Sequence, residues 1–303
     1  MNKRNSKKII VSLFTALLLT LALLVPGFAK TDAERELEAA NAEVIALEQQ
    51  LADAKTALSE AQTQSRKGMY GFFEANGSTG ALKALDNAKY KNLIAYGTAG
   101  DATSLDNLDA ALDLLDAVND KRAEQGLSPL VVTDTMMAMA EADADAYYDL
   151  RTTPKQFTID GNKIAENLGT FADAKTAADS WYAEKAVADE HPEYMDYSNA
   201  NWSKVGHYFN MTRTKYTVTG AAVNTRLGNK FCQVYYSTAG SEKTYTVAQY
   251  RQRVADYKAS LTQKQQDITA LEAALQTAKT RQDTARRIVE AEQSAAETTA
   301  PNA

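Results

Sequence analysis

Two histidines, His191 and His207, and one cysteine, Cys232, are the side chains of this 303-residue chain best suited to metal binding or nucleophilic chemistry near neutral pH. A thiol becomes reactive where a helix N-terminus or a neighbouring cation lowers its pKa. Cys232 lies instead in Phe231 to Ser237, where apolar and polar residues alternate as in a strand. Cys232 and His207 therefore make a poor nucleophile–base pair, and Cys232 is expected to be a small buried residue. A disulfide framework needs cysteines in pairs, so stability has to come from packing and helix pairing. His191 sits in Asp189-Glu190-His191-Pro192-Glu193, which reads as a solvated loop and reaches a site only by folding back over it. His207, in Gly206-His207-Tyr208, is expected at a strand start. Met136, Met137 and Met139 form the apolar side of a helical pattern and read as core rather than as cofactor ligands.

The elements that must position these residues form one layered domain. Leu105, Leu108, Leu112, Leu115 and Val118 recur at helical spacing until Gly126 and Pro129 end the pattern. A second helix is expected from Asp134 to Leu150 and a third around Trp181. Tyr216 to Asn224 and Phe231 to Ser237 alternate on either side of Gly228-Asn229, the pattern of a β-hairpin. Helices first and strands last predict an α+β fold.

Long helices flank this domain. Leu37, Val44, Leu51 and Leu58 repeat every seventh position, each followed three residues later by Ala40, Leu47, Ala54 or Ala61. A second seam runs through Leu261, Ile268, Leu275, Gln282 and Val289, with Lys264, Leu271, Ala278, Ala285 and Glu292 between them. Neither seam buries itself alone. The first segment is acidic at its start (Asp32, Glu34, Glu36, Glu38, Glu43) and the second basic near its end (Lys279, Arg281, Arg286, Arg287), which favours an antiparallel coiled coil within one chain over a parallel homodimer. The expected organisation is a signal peptide at 1–29, a coiled-coil helix at 32–67, a connector with one short helix at 68–103, the globular domain at 105–240, a second coiled-coil helix at 246–294 and a disordered tail at 295–303. The aromatic group Tyr70, Phe72 and Phe73 is expected to pack the first helix against the domain.

Lys3, Arg4, Lys7 and Lys8 precede an apolar run, Ile9 to Val25, that ends in Pro26-Gly27-Phe28-Ala29, the pattern of an export signal cleaved near Ala29. Such a chain is secreted or held at the cell surface; a retained anchor is the alternative. A net charge of −6 and a pI near 5.2, with no basic block beyond the N-terminus, argue against nucleic acid or an anionic membrane as the main partner.

Four stretches resemble the motifs of the CAP superfamily, the cysteine-rich secretory, antigen 5 and pathogenesis-related (SCP/PR1-like) proteins. Asn119-Asp120-Lys121-Arg122-Ala123-Glu124-Gln125-Gly126-Leu127-Ser128-Pro129-Leu130 is similar to the family's opening N-x-x-R-x-x-x-G-L-x-P-L. Ala165-Glu166-Asn167-Leu168-Gly169 resembles its G-E-N-L box, Ser180-Trp181-Tyr182-Ala183-Glu184 its W-x-x-E helix, and Gly206-His207-Tyr208 its G-H-Y segment. The flanking helices resemble those of Gram-positive bacterial members. The resemblance implies an α-β-α sandwich with a cleft that in many members holds two histidines and two glutamates around a divalent metal, typically zinc.

Carried over motif by motif, the cleft residues are Glu166, Glu184 and His207. The family's other histidine is absent: Tyr147 to Lys163 offers Arg151, Thr152, Thr153 and Thr158 but no imidazole, and Ala165 replaces the glycine before Glu166. Zinc at this trio would be an open three-ligand site of reduced affinity, so no cofactor is assigned. The other reading of the trio is structural, with the carboxylates capping backbone N–H groups and His207 satisfied in the core. The implied function is a non-catalytic module for an extracellular or cell-envelope ligand or protein, presented on a coiled-coil stalk. The alternatives are a hydrolase of peptide or envelope substrates using the same trio, and a structural spacer.

Overall fold

The computed structural model describes residues 30–146, 157–159 and 162–299. The expected signal peptide lies outside the described residues, as do Arg151, Thr152, Thr153 and the last four residues. The chain divides into two compact units, one formed by Ser59–Thr262 and the other by the residues up to Leu58 together with those from Gln263 onward.

The larger unit is a helix–sheet–helix sandwich. Its helices are α2 (Met69–Asn76), α3 (Thr79–Leu85), α4 (Leu108–Glu124), α5 (Asp134–Ala146), α6 (Ala174–Tyr182), α7 (Lys185–Glu190) and α8 (Gly206–Thr212), with the end of α1 (Asp32–Ser65) and the start of α9 (Val247–Thr299). The main sheet combines β1 (Val131–Val132), β4 (Ala165–Thr170), β5 (Val218–Asn224) and β6 (Lys230–Tyr236) in the order β1-β5-β6-β4. Only the β1–β5 pairing is parallel. A small antiparallel pair, β2 (Thr158–Ile159) with β3 (Asn162–Lys163), stands apart.

Side chains alternate between the two faces of a strand. Gly220, Ala222, Cys232 and Val234 share the face that α5 covers. A Cβ at Gly220 would lie 2.1 Å from the Met136 carbonyl carbon, so only glycine admits the helix this close. The opposite face, with Thr219, Gln233, Tyr235 and Asn167, lies under α4 and α8. Gly228 and Asn229, both at positive φ, turn β5 into β6.

The connector holds two short helices where the sequence suggested one, because Gly77, in the left-handed region, ends α2 and lets α3 begin. Phe72 and Phe73 are fully buried in this unit's core, with Phe72 edge-on to Tyr250 and Tyr257 of α9 at 6.1 and 5.5 Å. Arg253 holds Asp134 at 2.9 Å, and Arg251 reaches Asp113 at 2.9 Å, so the start of α9 is stitched onto α5 and α4.

In the smaller unit the rest of α1 and α9 run antiparallel. Lys55 pairs with Glu272 at 2.9 Å, Lys279 with Glu48 at 2.8 Å and Arg281 with Glu43 at 2.9 Å. The heptad positions are the covered ones: Ala40, Val44 and Leu47 from α1, Ile268, Ala278, Ala285 and Val289 from α9. The α9 helix continues to Thr299, through the start of the expected tail.

Candidate functional site

The expected site residues divide between the two faces of the sheet. Glu184, just beyond α6, accepts a hydrogen bond from His207 Nδ1 at 2.6 Å and from the backbone N–H groups of His207 and Tyr208 at 2.8 and 3.1 Å. A carboxylate only accepts, so Nδ1 carries the proton of this hydrogen bond. The ring also stacks on buried Trp181, centroids 5.9 Å apart and planes at 19°. His207 is the second residue of helix α8 rather than a strand start. The reason is local: Glu184 caps the first turn, and Tyr208, Phe209, Asn210 and Met211 are all buried, which breaks the alternation a strand requires.

The remaining motif residues hold this corner together. Asn167 donates to the His207 carbonyl and to the Tyr235 hydroxyl, both at 3.1 Å, and accepts from Asn210 at 3.0 Å. Tyr235 donates to Gln233 at 2.7 Å, and Gln233 to Thr219 at 3.1 Å, so a buried polar chain links the central strands to α8. Arg122, almost wholly buried, donates to the carbonyls of Ser128 at 2.9 Å and Met211 at 2.6 Å. Asn119 exchanges two hydrogen bonds with the backbone of Leu130. These polar residues serve the backbone.

Glu166 stands elsewhere. Strand alternation turns it to the α5 face, beside Cys232 of the paired strand and Asp143 of α5. Burial raises the Glu166 pKa to about 7. It pushes Asp143 and Cys232 well above their ordinary ranges, with the Glu166 charge adding to both and the Tyr90 hydroxyl opposing the shift of Asp143. The thiol is thus buried and protonated, unsuited to act as a nucleophile.

The zinc set implied by the motifs does not fit this arrangement. Glu166 lies across the sheet from Glu184 and His207, and the Glu184 oxygens already accept three N–H groups. His191 does not complete the set either: it contacts Glu193 at 3.2 Å and stacks on Tyr194.

Sequence reasoning passed over an aromatic group beside α8. Tyr197 is 69% exposed and stands edge-on to Trp202, at 4.8 Å between centroids. Trp202 packs in turn on Phe209 of α8 at 6.0 Å and lies against Gly206. Its indole N–H is buried without an acceptor. The signal was present in Tyr194, Tyr197 and Trp202, three aromatics in the otherwise polar run leading to Gly206. Asp143 was also missed, since an acid in a helical pattern reads as solvent-facing until the sheet covers it.

The profile of the CAP family, the cysteine-rich secretory protein family, matches residues 115–250. Among solved structures, a cysteine-rich secretory protein from Staphylococcus aureus subsp. aureus Mu50 aligns with 19% identity and a TM-score of 0.30, over 44% of this chain. The aligned part spans 39% of that protein, well under its full length. No curated protein sequence matches the chain. The profile match runs from within α4 to the start of α9, taking in the whole main sheet, Glu184 and His207, so the region 115–250 of this chain is similar to the CAP family.

Proposed function

We propose that this chain is an exported, non-catalytic binding module that holds an extracellular or cell-envelope ligand or protein at the α8 corner, with the paired flanking helices of a single chain as its stalk. The observation that carries this reading is the structural commitment of Glu184, three of whose roughly four acceptor sites are taken. A general base needs a free lone pair near the proton it removes, and the Glu184 oxygens are committed to His207 and the α8 backbone. The imidazole held there is a fixed hydrogen-bonding group on α8, the helix whose Gly206 and Phe209 pack against Trp202. Aromatic residues with one polar edge recur at recognition surfaces because they bury much area at low entropic cost.

Export rests on the basic and apolar pattern of residues 1–29; among the described residues no helix is long and apolar enough to cross a membrane. The single-chain stalk rests on the ion pairs that Arg281, Lys279 and Lys55 make with α1. The test is turnover: purified protein incubated with casein or with peptidoglycan should release no soluble fragments. Release that disappears in Glu184→Ala would replace this reading with a hydrolase.

A further inference from the structure

Three ligand-type side chains converge on the α5 face of the sheet, away from the Glu184–His207 pair. One oxygen each of Asp143 and Glu166 and the sulfur of Cys232 all lie within 4.8 Å of one another. The fold builds this cluster from two independent packings. Leu168 pairs directly with Cys232 across β4 and β6, which places Glu166, two residues earlier, on the same face as the thiol. Met136 meets the sheet at Gly220, and Asp143 follows seven residues, about two helical turns, later on the same side of α5.

Asp143 and Cys232 are fully buried; among the described residues the Glu166 oxygens have no hydrogen-bond partner, and the one polar group acting on the Asp143 carboxylate besides the cluster itself is the Tyr90 hydroxyl. Burying an ionised carboxylate without a partner is costly, so such a group takes up a proton or a cation. The three acidic groups together are held neutral by their protons, and one divalent cation can displace those protons and take their place. A fully buried Asp143 that brings one oxygen within 4.8 Å of both other donors, beside a Glu166 carboxylate with no hydrogen-bond partner, is the feature that an acidic cluster alone lacks.

We propose that Asp143, Glu166 and Cys232 form a zinc site. One sulfur and two carboxylate donors suit a borderline-soft divalent cation that accepts four ligands, the fourth being water. Calcium and magnesium select six or more oxygen ligands and avoid sulfur. The site shares Glu166 with the family motif but draws its other ligands from residues outside the four motifs, and the binding role at the α8 corner does not depend on it.

The test uses the full chain, stripped with a chelator and titrated with cobalt(II) and then with zinc. The expected result is one equivalent of cobalt with a thiolate-to-cobalt charge-transfer band, displaced by zinc, and a rise in Tm on zinc addition. Cys232→Ser should abolish the band, and Asp143→Asn or Glu166→Gln should weaken zinc binding by at least about tenfold, the loss already seen for outer-shell partners of a metal. His207→Ala should leave the band intact. Circular dichroism checks that each variant folds; if Cys232→Ser does not, the wild-type band and Glu166→Gln decide. Absence of stoichiometric binding, a band that survives in Cys232→Ser, or a band lost in His207→Ala would each overturn the assignment.

Discussion

Glu184 holds an imidazole and two backbone N–H groups with one carboxylate, so removing it leaves three donors without their acceptor. Glu184→Ala should cost about 1–3 kcal/mol in urea unfolding, the penalty of stranding partly buried polar groups. Arg122→Met should cost a similar amount, about 1–3 kcal/mol, because the carbonyls of Ser128 and Met211 lose their charged donor. An unchanged midpoint in either variant would show that its hydrogen bonds contribute nothing net. The motif residues themselves were legible in the sequence, but the faces they take were not. Glu166 and Asn167 are neighbours in one motif, and a single step of strand alternation sends the first toward α5 and the second toward α8. That step depends on the pairing of β4 with β6, a long-range contact that no local pattern encodes.

At the scale of elements, α5 and β5 meet with no space for a side chain at position 220. Gly220→Ala should prevent folding or destabilise by about 3 kcal/mol or more, since a methyl 2.1 Å from backbone atoms forces two elements apart. The helix pair responds differently, through surface charge. Hydrogen bonding to Arg281 lowers the Glu36 pKa, so its contribution is present above the unfolded value and is lost as pH falls through the lowered one. Acidification from pH 7 to 3 should therefore loosen the pair, as read by circular dichroism melts, and Glu36→Gln should reduce that pH dependence. Added salt should weaken it as well. These helices were the most legible elements, because a seven-residue repeat states its buried face directly. The two-helix connector was less so: its break depends on the left-handed conformation of Gly77, which composition does not reveal.

At the scale of the whole molecule, α1 and α9 each contribute to both units, while the matched CAP domain lies within the larger one. The polar residues of that domain are committed largely to its own backbone, and the proposed binding role falls to Tyr197 and Trp202 beside α8. Co-sedimentation of the purified full chain with isolated cell envelopes, with soluble fragments assayed in the same samples, is the decisive measurement of the proposed binding role. Wild-type protein should pellet with the envelopes and release nothing. Trp202→Ala and Tyr197→Ala should bind about tenfold more weakly, as expected on loss of an aromatic anchor. Wild-type protein that stays in the supernatant, or that releases fragments in proportion to time, would contradict that role.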